Sequence, residues 1–148
     1  MPDRSHEWLT RIKRVEIEWN VANVALDRLQ AQVSVDSTLL DQPLRSRDVR
    51  TTSERLEGTY LIRLFAEFET GLRSFWRTLR RSRPQTKGLL DGVGSRCRIP
   101  GATIDAVQQV RVFRNHLVHE TSERVEELTL PHARRHLCTY FSYLPPQW

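Results

Sequence analysis

The sequence of 148 residues lacks the features that would place a protein in a membrane or outside the cell. No apolar run approaches the roughly 20 residues that span a bilayer. The charged residues 1–14 contain no apolar segment typical of a signal peptide. The two cysteines, Cys97 and Cys138, fit no metal-binding spacing and form no disulfide framework. We therefore expect a cytoplasmic protein with two free thiols and no membrane association.

Lysine is also scarce, since two lysines stand beside 21 arginines, and the net charge is +5. The planar guanidinium group binds two phosphate oxygens at once, which suits a nucleic-acid ligand. The arginines concentrate from Arg45 to Arg50 and from Arg80 to Arg98. They either guide a phosphate backbone or are solvated loop charge, and a high-GC codon bias alone would favour arginine. The density of the second stretch slightly favours RNA contact.

Helical periodicity is the strongest pattern in the sequence. Apolar residues spaced by three and four predict a first helix over about residues 6–33. A second helix is predicted from about residue 51, where Ser53 or a neighbouring threonine can cap it, and Pro84 blocks its continuation. Its apolar stripe is the heaviest, so we expect it at the centre of the core. The stripe of the first helix is too long for the shorter helices to cover, which indicates a partner subunit, most simply a second copy.

The remaining chain predicts two shorter helices. A third helix carries an apolar stripe from Ala106 to Leu117, and Pro131 suits the first position of a last helix. We expect residues 34–50 to be a connector and residues 83–100 to be a loop with at most one helical turn. Residues 120–130 are expected to be irregular or extended.

The fold class follows from these periods. No strand period and no internal repeat is present. The chain is therefore predicted to be a single all-α domain over residues 1–148. We expect an up-and-down helical bundle of about four to five helices.

The most reactive-looking stretch is VFRNHLVHE, from Val112 to Glu120. An arginine stands five positions before a histidine twice here, as Arg111 with His116 and as Arg114 with His119. Such a spacing has little value alone in a chain with this many arginines. Only the second pair has asparagine directly after the arginine. For a chain of this composition, the probability that such a pattern occurs by chance is about one or two in a hundred. We therefore single out this pair and its asparagine.

The run RNHLVH, from Arg114 to His119, resembles the R-N-x-x-x-H signature of the HEPN superfamily of higher-eukaryote and prokaryote nucleotide-binding domains. The layout agrees, with a long first helix, a bulky second helix, the motif late in the third and a short helix after it. The resemblance in layout covers nearly the whole chain, while its specific part is only these six residues.

This resemblance implies an all-helical homodimer in which two motifs face each other across the interface. It further implies a metal-independent endoribonuclease without a cofactor, with RNA as substrate and a role in toxin–antitoxin or phage-defence systems. A nucleotidyltransferase antitoxin is the partner that the resemblance suggests. Carried over by position, Arg114 and His119 are the catalytic pair, and Asn115 sets their geometry. Arg111 and His116 lie outside the signature and are candidate RNA contacts.

The residue types suit this chemistry. Cleaving RNA without a metal needs a base, an acid and a cation for the charged phosphorane. Histidine serves either proton role near neutral pH, and arginine matches two phosphate oxygens. Side chains five residues apart on a regular helix point roughly 140° apart. We therefore expect the helix to end or distort between Asn115 and Val118, so that Arg114 and His119 converge.

The motif also allows other interpretations. His119 and Asn115 can simply satisfy a helix C-terminus. The chain can also be a non-catalytic bundle that binds nucleotide, RNA or another protein. A zinc site at His116 and His119, or at His132 and His136, is disfavoured because no cysteine joins either pair.

Two glutamates of the second helix require an interpretation. Glu57 falls on the apolar face, where it either pairs with an interior arginine such as Arg111 or compensates the dipole in the first turn of its own helix. Glu69 flanks the stripe and is expected to be a surface residue. We assign neither of them to catalysis.

Overall fold

The computed structural model describes residues 3–119 and 124–148, and this part of the chain is helical with short connections. It forms five α-helices, which are α1 (Ser5–Val35), α2 (Ser46–Leu79), α3 (Thr86–Arg96), α4 (Gly101–His119) and α5 (Leu130–Phe141). Within the described ranges there is no strand, and a single bridge joins Arg4 to Gln147. The prediction of an all-α bundle is therefore confirmed.

The two long helices α1 and α2 form an antiparallel hairpin. Arg63 of α2 meets Glu18 of α1, whereas Arg11 meets Glu67 further along α2. Gly71 of α2 lies close to both α1 and α5, because a Cβ atom there would lie 3.0 Å from the Trp8 ring and 2.9 Å from ring atoms of Phe141. A larger residue at this position would therefore push α5 away from the hairpin.

The core is centred on α2, as its stripe predicts. Its buried apolar side chains are Leu61, Leu64, Phe65, Phe68, Leu72 and Phe75. Phe68 contacts the rings of Tyr140 and Phe141 of α5, with centroid distances of 5.6 Å and 6.1 Å. Such edge-to-face aromatic pairs add to the stability that burial itself provides.

The prediction of a loop over residues 83–100 is wrong, because Thr86–Arg96 forms the helix α3. Gly92 and Gly94 serve close packing and do not break the helix. A Cβ atom at Gly92 would lie 2.8 Å from the Trp76 ring, and one at Gly94 would lie 2.6 Å from Ile104. Glycine therefore lets α3 pack closely against both α2 and α4.

Helix α2 also begins earlier than predicted, at Ser46 and not near residue 51. The Asp48 carboxylate accepts a hydrogen bond of 2.8 Å from the Arg45 amide and so fixes this first turn. The predicted connector over residues 34–50 is correspondingly shorter, and it contains a 3-10 turn at Ser37–Leu39.

The last helix is present as predicted, although it begins at Leu130, one residue before the predicted first position at Pro131. Thr129 caps α5 by accepting from the His132 amide, and Pro131 lies in the first turn. Residues 124–129 are not helical, as expected, whereas residues 120–123 of the same predicted segment lie outside the described residues.

Helix α1 has apolar residues on two sides, and no other described element covers those on its outer side. Trp8, Ile12 and Val15 are buried in the core. By contrast, Ile17 is 62% exposed and Val21 is 66% exposed. Among the described helices, none is both long and apolar enough to cross a bilayer.

Candidate functional site

The motif lies on the last two turns of α4, which is a regular helix through His119. The expected end or distortion between Asn115 and Val118 is therefore wrong. Leu117 explains the continuity, because it packs against α2 at Gly58, where a Cβ atom would lie 3.4 Å from the leucine methyl carbon. This contact keeps the final turn against the bundle.

Arg114 leaves α4 toward α2 and is held there. Its guanidinium group lies 4.6 Å from the centroid of the Phe65 ring, and its Nη2 atom lies 3.3 Å from a carboxylate oxygen of Glu69. The side chain is 21% exposed. Within the described residues, the buried Nε atom has no hydrogen-bond acceptor. One face and one edge of the guanidinium are thus fixed by the protein.

Glu69 connects Arg114 to the rest of the structure. Its Oε1 atom accepts from Arg73 at 2.7 Å and from the Thr86 hydroxyl at 2.8 Å, while Oε2 faces Arg114. Arg73 also donates to the Pro84 carbonyl oxygen at 3.0 Å. The prediction of Glu69 as a surface residue is wrong, since its side chain is only 20% exposed. Besides Arg73 of the same helix, its partners come from α3 and α4, which the sequence of α2 does not reveal.

His119, unlike Arg114, is exposed to solvent, and it is the last residue of α4. The half-buried Asn115 precedes it by one turn. On this regular helix the side chains of Arg114 and His119 point roughly 140° apart around the axis. One copy of α4 therefore does not direct both side chains toward the same phosphate.

The two candidate RNA contacts also lie on different sides of α4. Arg111 is half-buried, and its Nε atom donates to Gln108 at 2.7 Å. His116 is half-buried and lines a groove of about 480 Å³ between α4 and α2, together with Arg55 and Thr59. Arg111 thus lies beside Gln108, whose side chain donates to α3, whereas His116 lies near the first half of α2.

Glu57 has a structural use that neither interpretation anticipated. Its Oε1 atom accepts a 2.7 Å hydrogen bond from the Leu130 amide at the start of α5. The carboxylate therefore satisfies a free amide group and the positive end of the α5 dipole. Arg111, the partner considered from sequence, bonds within α4 instead.

The cysteines and the other histidines form no described site. Cys97 and Cys138 are free thiols, and burial raises the pKa of each above its ordinary value. His132 is exposed, while His136 is half-buried on the same helix. Residues 3–119 and 124–148 contain no group of three or more histidine, cysteine or acidic side chains that could hold a metal ion.

We compared the chain with known proteins by sequence and by structure. No protein-family model, no curated protein and no solved structure matches it. The interpretation of the site therefore rests on the geometry of α4 and its neighbours, and on the resemblance of six residues to a known signature.

Proposed function

We propose that the protein is a metal-independent endoribonuclease of the HEPN type, which acts as a homodimer. The observation that carries the proposal is the position of Arg114, Asn115 and His119 on the last turns of α4. Arg114 is fixed by Glu69 and Phe65, whereas His119 is open to solvent. RNA cleavage without a metal requires a positioned cation and an accessible proton carrier, and the motif supplies one of each.

A second copy of the chain completes the site. One α4 helix directs Arg114 and His119 apart, so two facing helices supply the two histidines and two guanidinium groups of a composite site. The exposed surface of α4 suits such contact, because Val112, which precedes the motif, and Val118, which lies within it, are 41% and 46% exposed. These valines would become buried between the copies.

The reaction proceeds through the RNA 2′-hydroxyl. The 2′-oxygen attacks the adjacent phosphorus while one histidine takes its proton. The bond from phosphorus to the 5′-oxygen breaks, and the second histidine donates a proton to that oxygen. Arg114 binds the non-bridging oxygens, and Asn115 orients the pair. The products are a 2′,3′-cyclic phosphate and a 5′-hydroxyl.

The cellular setting is part of the proposal and follows from the resemblance. A cytoplasmic RNA is the substrate, and the protein acts as a toxin or a phage-defence component. A nucleotidyltransferase antitoxin is the proposed partner that restrains it. Arg111 and His116 lie one turn or less from the motif and are proposed to contact RNA.

A non-catalytic bundle that binds nucleotide, RNA or protein is the second candidate. The contacts of Arg114 favour it, because an arginine that pairs with Glu69 and covers Phe65 also has a purely structural use. The two candidates differ at His119. Cleavage depends on this side chain, whereas a binding bundle needs no proton carrier there.

The test is cleavage of a mixed RNA pool in EDTA by the wild type, by His119→Ala and by His132→Ala. His132 is an exposed histidine on α5 and serves as the matched control. We expect the wild type and His132→Ala to cut equally, and His119→Ala to be slower by about 10²–10⁴-fold.

Equal cleavage by all three proteins would show that a contaminating nuclease is responsible. The absence of cleavage by a folded, dimeric wild type would move the assignment to the binding bundle. Either result would overturn the proposed activity.

A further inference from the structure

The net positive charge of the chain is concentrated at one end of the bundle. Residues 73–98 contain eight arginines and lysines and one acid, which gives a net charge of +7. The other residues contain 15 basic and 17 acidic side chains, which gives −2 and accounts for the total of +5. The whole excess of positive charge therefore lies at the end of α2, on α3 and on the segment between them.

Six of these arginines form what we call the basic end, which consists of Arg77, Arg80, Arg81, Arg83, Arg96 and Arg98. All six are exposed. Among the described carboxylates, none forms an ion pair with any of them. Folding does not require such a concentration of uncompensated like charges, which repel one another.

Trp76 stands in the middle of the basic end. It lines a cleft of about 420 Å³ with Arg77 and Arg83, and a second cleft of about 710 Å³ with Arg96 and Arg98. Both volumes lie in the range of about 300–1,000 Å³ that is usual for ligand sites. An aromatic ring shared by two arginine-lined clefts is the arrangement that binds bases and phosphates together.

The Trp76 ring is fixed in place. Its Nε1 atom donates to the Ser82 carbonyl oxygen at 3.2 Å, and its far edge rests against Gly92. The guanidinium carbon of Arg80 lies 5.9 Å from the ring centroid. Packing between α2 and α3 explains why Trp76 contacts Gly92. It does not explain why Trp76 is surrounded by arginines that have no carboxylate partner among the described residues.

Arg98 occupies a backbone position where glycine is the usual residue. It has a φ of 54°, in the left-handed region that favours glycine, at the position just after the cap of α3. The Ile99 amide bonds to the Gly94 carbonyl oxygen at 2.9 Å, which completes this type of helix end. An arginine here is strained where glycine would not be, and its side chain lines the larger cleft.

We infer that the basic end is a binding site for single-stranded RNA, in which Trp76 stacks on a base and the arginines hold the flanking phosphates. The site adjoins the motif, because Arg73 lines the smaller cleft and shares the Glu69 carboxylate with Arg114. Trp76 lies two helical turns from Glu69, or roughly 10 Å along α2. Binding at the basic end does not depend on cleavage, so the two proposals fail separately.

The experiment measures binding of a fluorescent 12-nucleotide 2′-O-methyl RNA, which has no free 2′-hydroxyl and is not cleaved by the proposed reaction. Arg80→Ala/Arg96→Ala is compared with Arg28→Ala/Arg135→Ala, which removes two exposed arginines that lie outside the basic end and outside the stretch from Arg45 to Arg50. We expect the first variant to bind roughly tenfold more weakly at low salt. The slope of log K against log salt should fall by about 1.4 for it and stay unchanged for the control.

Two single variants test the stacking and the fold. Trp76→Leu should weaken binding roughly 5- to 100-fold, whereas Trp76→Phe should stay within about threefold of the wild type. Arg98→Gly should bind severalfold more weakly while its melting temperature is unchanged or higher, because glycine relieves the left-handed strain. Weaker binding with an unchanged or higher melting temperature would show that Arg98→Gly removes a ligand contact and does not destabilise the fold.

Equal losses in the two double variants would mean that general surface charge binds RNA, and would overturn the site. Wild-type affinity in a folded Trp76→Leu would overturn the stacking. Equal binding of a duplex of the same length would contradict recognition of a single strand.

Discussion

The arginines in two regions of the molecule have different surroundings. In the body of the bundle, four ion pairs join different helices, which are Arg11–Glu67, Arg63–Glu18, Arg114–Glu69 and Arg134–Glu16. At the basic end, six arginines have no carboxylate partner among the described residues. Arginine therefore joins helices through ion pairs in the body of the bundle. At the basic end it exposes guanidinium groups that have no carboxylate partner. Arg114 forms an ion pair between helices, as the arginines of the body do, but it is proposed to bind RNA phosphate, as the arginines of the basic end are.

The largest effect on stability is expected where one acid serves several partners. Glu69→Ala leaves Arg73 and Arg114 half-buried without a carboxylate, so we expect a loss of about 2 kcal/mol in the free energy of unfolding. Glu67→Ala is the matched control on the same helix, because its partner Arg11 is 53% exposed. Its expected cost is about 0.5 kcal/mol. Urea unfolding measures both values, and similar losses would erase the distinction.

Two adjacent arginines of α5 sharpen the comparison within one helix. Arg134 pairs with Glu16 of α1, and its side chain is 28% exposed, whereas Arg135 is exposed. We expect Arg134→Ala to lower the free energy of unfolding by about 1 kcal/mol, and Arg135→Ala to change it by less than about 0.5 kcal/mol. Thermal melts of the two variants check this order. A greater loss from Arg135→Ala would contradict it.

Removal of arginines from the basic end should not destabilise the fold. Arg80→Ala/Arg96→Ala removes two like charges from a surface of net positive charge, so repulsion falls. We expect the free energy of unfolding to stay within about 0.5 kcal/mol of the wild type or to rise. Chemical denaturation at low salt is the measurement. A clear loss of stability would mean that these arginines support the fold.

The smallest expected effect concerns the thiols. Burial raises the pKa of Cys97, and the charge of neighbouring Arg96 offsets this only in part. Since a raised pKa leaves less thiolate at neutral pH, alkylation at pH 7.5 should be slower than for free cysteine and should accelerate as the pH rises. Mass spectrometry of iodoacetamide labelling follows the rate. Faster labelling than free cysteine would mean that the positive field dominates the thiol.

The helices that carry apolar stripes were predictable from the sequence, because burial imposes a period of about 3.6 residues. Helix α3 was not, since Gly92 and Gly94 match the composition of a loop while serving close packing against Trp76 and Ile104. The position of the motif on α4 followed from spacing and resemblance. The contact of Glu69 with Arg114 joins residues 45 positions apart, and no local pattern predicts it.

The central claim is that the motif on α4 supports cleavage through the 2′-hydroxyl, and one pair of substrates tests it most directly. A defined RNA and the same strand with 2′-deoxyribose at the mapped cleavage position are incubated with the protein in EDTA. We predict that the RNA yields a 2′,3′-cyclic phosphate and a 5′-hydroxyl, while the deoxy-substituted strand stays intact there. Cleavage of both strands at that position, leaving 5′-phosphate ends, would contradict the account.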